Sequence, residues 1–168
     1  MSVSDAELRA WLDRQAVLDL IHRYSDSVTR GDYEHTAELF APDAVWEEVG
    51  GVRFDTAREF IDYLVEGSAS AELLIQTPHS PVVDFSGSGR AKATTTIHEI
   101  GRGVAGGRSS LGDAGVEINF DRYGVYHDEL AKFDREWKFT QRIFVPFFTS
   151  INGVVGEVSG PRPLLRPR

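Results

Sequence analysis

The chain has 168 residues, 41% of them hydrophobic and 26% charged, which fits one globular domain able to bury a substantial core. Its formal net charge of -8 argues against nucleic acid and anionic membrane surfaces as partners, since either needs a clustered basic face. With no cysteine there are no disulfides and no thiol chemistry, so cysteine usage leaves the redox compartment open.

The amino-terminal stretch is acidic and helical, without the apolar core of a secretion signal. No run approaches the roughly 20 apolar residues of a membrane span, so a cytoplasmic protein without a membrane partner is expected. Ser4 and Glu7 make a capping box that opens the first helix, and Leu8, Trp11 and Leu12 are expected to fold over the edge or mouth of the domain. Val17, Leu20, Ile21, Tyr24 and Val28 then recur at helical spacing, so one stripe faces a core. Tyr24 lies on that stripe, with Asp26 and Thr29 close to its edge. Gly31 suits the helix end and Asp32 caps a short second helix, whose apolar side is Tyr33, Ala37, Leu39 and Phe40. A Pro-Asp turn leads into a strand over 43–49 that carries Trp46 and stops at Gly50-Gly51. The third helix starts at Asp55 or Thr56, turns Phe60, Ile61 and Leu64 inward, and ends near Gly67.

From Glu72 the period changes to that of strands. An extended stretch reaches Phe85, interrupted at Thr77-Pro78-His79-Ser80-Pro81, and turns at Ser86-Gly87-Ser88-Gly89. Arg90 to Gly101 is a Thr-rich strand with Ala93, Thr95, Ile97 and Glu99 on one face; the opposite face carries Thr96 and His98. Gly103 to Gly115 is loop-like, and Val116–Tyr126 and Trp137–Thr149 are two further long strands on either side of a charged turn at Asp134-Arg135-Glu136. Residues 1–158 read as one domain and 159–168, rich in Pro and Arg, as an arm or tail. Three helices followed by a meander of long strands give an α+β fold, in which a strongly curved, mostly antiparallel sheet wraps the first helix and encloses one cavity.

The order Tyr24, Arg30-Gly31-Asp32, then Leu39-Phe40-Ala41-Pro42-Asp43-Ala44-Val45-Trp46 resembles the opening of SnoaL-like proteins, within the superfamily named after nuclear transport factor two. That superfamily includes scytalone dehydratase, bile-acid 7α-dehydratase, ketosteroid isomerase, lindane dehydrochlorinase and polyketide cyclases, and the similarity runs over roughly residues 8 to 150. The resemblance implies a cone-shaped α+β barrel and an association of sheets into a homodimer or homotrimer.

His79 is the strongest candidate for chemistry. It sits between two prolines, and an imidazole suits moving a proton off carbon or onto a leaving hydroxyl near neutral pH. A loop histidine bonded to backbone is the bland alternative. The resemblance implies that Thr77-Pro78-His79 supplies a catalytic histidine, whose usual aspartate partner would fall at Thr29, a neutral hydroxyl; Asp26, one turn away, is the candidate substitute, with a solvated helix-surface acid as its bland alternative. Glu99, among small and apolar neighbours, is a candidate acid or base, matching an acidic position of the bile-acid enzyme. Glu48 falls where ketosteroid isomerase keeps its base, but Glu47-Glu48 next to a Gly-Gly turn is more often just a wet strand end. By resemblance Tyr24 donates a hydrogen bond to substrate and Arg142 lines the pocket, with Trp46, Phe144 and Phe148 as apolar walls and Thr29 beside them. The five histidines, at 22, 35, 79, 98 and 127, show no metal-ligand spacing, and no phosphate loop, nucleophile elbow or dinucleotide fingerprint occurs, so no metal or cofactor is expected. Two functions fit: a cofactor-independent lyase or isomerase of dehydratase type, acting on a hydrophobic, cyclic, oxygenated small molecule, or a non-catalytic ligand-binding or assembly protein on the same fold.

Overall fold

A computed structural model describes residues 3–87, 89–106 and 111–156. Helix α1 runs from Asp5 to Arg30. The Ser4 side chain takes the Glu7 N–H while the Glu7 carboxylate takes that of Ser4, which closes the capping box. Gly31 stops the helix in the left-handed conformation, φ 68°, which costs glycine nothing because it has no Cβ. After only Gly31 and Asp32, α2, Tyr33–Glu38, starts under an Asp32 cap, and a buried Ser27–Thr36 hydroxyl pair at 2.8 Å fastens it to α1. Helix α3, Ala57–Ser68, is capped by Thr56.

Among the described residues seven strands form one open, curved sheet: β1 Phe40–Glu48, β2 Arg53–Phe54, β3 Ala71–Phe85, β4 Arg90–Val104, β5 Glu117–Phe133, β6 Glu136–Ile151 and β7 Val154–Val155. The order is β2-β1-β6-β5-β4-β3, with β7 paired to β6; only β1 against β6 is parallel, and the two ends of the order do not meet. The expected α+β architecture is therefore present, with the helices packed into the concave side of the sheet. Strand β3 runs straight through the Thr77–Pro81 interruption by taking a bulge between His79 and Val82, where Ser80 has φ 35°. The 159–168 arm lies outside the described residues. Leu8, Trp11 and Leu12 are exposed and do not line the hollow, so the first turns of α1 do not bury these side chains over the domain.

Alternation along β4 sets inside from outside. Ala91, Ala93, Thr95, Ile97 and Glu99 are buried, while Thr94, Thr96 and His98 are only half-buried on the outer face. The α1 stripe of Val17, Ile21, Tyr24 and Val28 meets Phe40, Phe60, Phe139 and Phe144 in one core. Polar ties reinforce this packing. Asp13 holds Lys132 and the Trp137 indole, Arg14 donates to the Val83 carbonyl, and Thr29 accepts the Gln76 backbone N–H at 3.0 Å. Those last two bonds, with Pro78 and Pro81 lacking N–H groups, seal much of the β3 edge, which would otherwise offer unpaired backbone. No described helix is long and apolar enough to cross a membrane.

Candidate functional site

Where the sheet curls away from α1 and α3 it leaves a hollow of about 130 Å³, comparable with the about 150 Å³ cavity that holds benzene. Its apolar wall includes Val28, Trp46, Leu64, Leu74 and Phe120, and its polar groups include Tyr24, Glu48, Gln76, Glu99, Arg122 and Tyr126. These come from α1, β1, β3, β4 and β5, because the antiparallel register places Gln76 opposite Glu99 and Glu99 opposite Arg122 on the concave face.

Arg122 organises the polar side. Its Nε and Nη2 both donate to Glu99 Oε2, at 2.8 and 2.6 Å, and its Nη1 reaches the two Glu48 oxygens at 3.1 and 3.2 Å. Burial works against the guanidinium charge, yet Glu99 and Glu48 outweigh it and hold Arg122 protonated well above its ordinary range. The other Glu99 oxygen accepts from Gln76 Nε2, which also approaches the Tyr126 hydroxyl at 3.4 Å. The Tyr126 ring meets that of Tyr24 edge to face, with centroids 5.8 Å apart. Burial pushes both phenols above their usual range, Tyr126 strongly, so both stay protonated donors at neutral pH. Beneath them Arg142 pairs with Asp128, Nε to Oδ1 at 2.8 Å and Nη2 to Oδ2 at 3.1 Å.

Among the described residues, four buried side-chain atoms lack a hydrogen-bond partner: Trp46 Nε1, Gln76 Oε1, Thr95 Oγ1 and Arg142 Nη1. Trp46 and Gln76 line the hollow, Thr95 pairs across the ladder with Tyr126, and the Arg142 guanidinium lies 4.1 Å above the Tyr126 ring. Two of the four unpartnered atoms thus belong to residues that line the hollow, where a structural core would have eliminated them.

The residues expected from sequence divide sharply. Tyr24, Trp46 and Glu99 line the hollow. His79 does not: it is exposed and opposite Thr96, on the outer face of the sheet, because it lies an odd number of residues from Gln76. Asp26 is exposed and paired with Arg30 at 2.6 Å, so it offers no charge to the interior. Thr29 spends its hydroxyl on the Gln76 backbone. Arg142 is 1% exposed and lies under the phenols, not in the wall. Phe144 is wholly buried beneath Arg122, 4.6 Å from its guanidinium. Phe148 is on the outer face beside Tyr123, because Phe147 is an extra residue between the Gly124–Pro146 and Tyr123–Phe148 pairs.

Sequence reasoning missed Arg122, Gln76 and Tyr126 and discounted Glu48, whose side chain is only 11% exposed. Arg122, Gly124, Tyr126, Asp128 and Leu130 do share a period of two, and that pattern could have placed the first and third on the concave face. Among the described residues no group of three His, Asp or Glu is positioned to hold a metal ion.

A family model described as a SnoaL-like domain matches residues 9–143. Among solved structures, a Novosphingobium aromaticivorans protein provisionally named a scytalone dehydratase superposes with TM-score 0.72 at 18% identity, over 90% of this chain and 95% of that one. Hexachlorocyclohexane dehydrochlorinase type 3 from Novosphingobium barchaimii superposes with TM-score 0.73 at 16% identity, over 92% and 99%. A Nostoc punctiforme protein described as having a cystatin-like fold gives 0.62 at 14%, over 87% and 95%. At these identities the likeness is one of fold. No curated protein sequence matches.

Proposed function

Because the chain belongs to the SnoaL-like domain family, within the nuclear transport factor two-like superfamily, we propose that it is a cofactor-independent lyase or isomerase of dehydratase type. Its substrate in this reading is a hydrophobic, oxygenated, single-ring molecule. The observation that carries the reading is the convergence of Glu48, Glu99, Arg122, Tyr24 and Tyr126 on an apolar hollow of about ring size. An apolar pocket with a few converging polar groups can polarise a carbonyl and move a proton.

The roles follow from the partners each group keeps. Glu99 is saturated by Arg122 and Gln76, so it anchors the guanidinium. Glu48 lines the hollow beside Arg122 Nη1, at 3.1 and 3.2 Å, and is the group we assign to proton transfer. Tyr24, backed by Tyr126, would donate to the substrate oxygen as charge develops there. Trp46, stacked on Phe60 at 4.7 Å, supplies the flat wall for the ring. His79, Asp26 and Phe148 have no part in this reading.

Incorporation of deuterium next to the carbonyl of small cyclic ketones in D2O, followed by NMR, tests the reading without knowledge of the natural substrate. Glu48→Gln is expected to slow the exchange about 10²- to 10⁴-fold, the usual worth of a general base, while His79→Ala keeps the parent rate. An equal rate in Glu48→Gln would remove Glu48 from the mechanism. A second reading, a non-catalytic ligand-binding protein, draws on Thr29, whose hydroxyl serves the backbone where a catalytic carboxylate was expected. Ketone binding without any exchange above buffer would favour it.

A further inference from the structure

The mechanism above leaves one buried ionic group unused. Arg142 and Asp128 are 1% and 2% exposed, face each other across β5 and β6, and touch no solvent. A buried ion pair is a poor way to stabilise a core, since apolar residues of similar size commonly do as well or better. What distinguishes this pair is what lies against it. The Arg142 Cζ is 4.0 Å from the centre of the Tyr24 ring, 4.1 Å from that of Tyr126 and 4.2 Å from that of Phe139. Two of its three nitrogens are fixed by Asp128, and Nη1 is left buried with no acceptor among the described residues.

We propose that Arg142, held by Asp128, is a positioning residue of the hollow: a cation clamped against the Tyr24 and Tyr126 rings that acts on a ligand oxygen through their hydroxyls. This rests on the reading of the hollow as a site for an oxygenated ring. A positive charge against a phenol draws electron density from its oxygen, which sharpens the O–H as a donor and steadies negative charge growing on the atom it serves. The Asp128 fork keeps the guanidinium plane from swinging away. Of the other charged groups around the phenols, Glu99 opposes the effect, and Arg122 offsets Glu99 by pairing with it. Both phenols feel Arg142 as a pull toward ionisation that partly counters burial. Arg142 thus differs from a pocket arginine that meets an anion directly.

The test uses 4-nitrophenol as probe, because its phenol and phenolate forms differ in colour. The parent is expected to bind it and to raise the ionised share of the bound probe over that in buffer at the same pH. Arg142→Gln removes the charge, and Asp128, whose carboxyl burial already pushes up, can then take a proton so that the site stays neutral. That variant should lower the ratio of bound phenolate to bound phenol by about tenfold, the size of one nearby charge in a partly screened interior. Arg142→Lys should restore most of it. If Arg142→Gln alone does not fold, the Arg142→Gln/Asp128→Asn double variant carries the same comparison. An unchanged ratio in a folded charge-free variant, with the parent binding normally, overturns the role of Arg142 and leaves the proposed function standing. Failure of the parent to bind the probe overturns both.

Discussion

At the scale of single residues, Thr29 shows how one hydroxyl can serve a site it does not enter. Its Oγ1 takes the Gln76 backbone N–H, and the Gln76 side chain then reaches Glu99 and Tyr126. Thr29→Val, which keeps the shape and loses the acceptor, should cost about 1–2 kcal/mol in urea unfolding because a half-buried N–H is left unpaired. Thr29→Ser should recover most of that loss. A valine variant as stable as the parent would mean that water replaces the hydroxyl without cost. Legibility at this scale was uneven. Tyr24 and Glu99 were readable because each lies on a regular periodic face. Glu48 was not, because a charge at a strand end looks the same whether it meets water or a partner 74 residues away.

At the scale of elements, two bulges decide which side chains face the hollow. The slip between His79 and Val82 lets β3 run on past two prolines, and the slip at Tyr123/Gly124 turns Phe148 outward although Phe144 points in. The second slip has no clear sequence signature, so strict alternation misplaced Phe148. A neighbouring constraint is sharper. A Cβ on Gly124 would stand 2.2 Å from the Phe144 ring and 2.8 Å from the Val145 carbonyl, so β5 can pass under that ring only as glycine. Gly124→Ala is expected to destabilise by about 3 kcal/mol or more, at or beyond the top of the usual overpacking range. It should also loosen Arg122, which stacks on Phe144. Chemical denaturation measures the first effect, and a loss below about 1 kcal/mol would show that Phe144 moves aside freely.

At the scale of the whole molecule, the two buried phenols link folding to pH on the alkaline side. Burial raises both above their ordinary value of 10.0, so the native state holds these protons more tightly than the unfolded chain. Below the unfolded value the two states bind equally many. As pH rises past it, the unfolded phenols ionise first and stability falls, by up to about 1.4 kcal/mol per pH unit for each phenol, until the folded-state values are passed. Urea unfolding followed between pH 9 and pH 11.5 should therefore steepen above about 10, and Tyr24→Phe or Tyr126→Phe should each remove part of that slope. Unchanged slopes in both variants would place the titration elsewhere.

The sequence alone determined the parts that repeat locally. Capping residues, the apolar stripe of α1, the left-handed glycine after it and the run of long strands all follow from interactions within a few positions, and together they specified the α+β fold. Tertiary structure decided which polar groups share the interior. A strand's inward face is set by its register with its neighbours, and a hollow exists only once the sheet has curled around the helix. His79, conspicuous in the chain, therefore lies outside, while Glu48, Gln76, Glu99 and Arg122, scattered along it, come together where no local rule would put them.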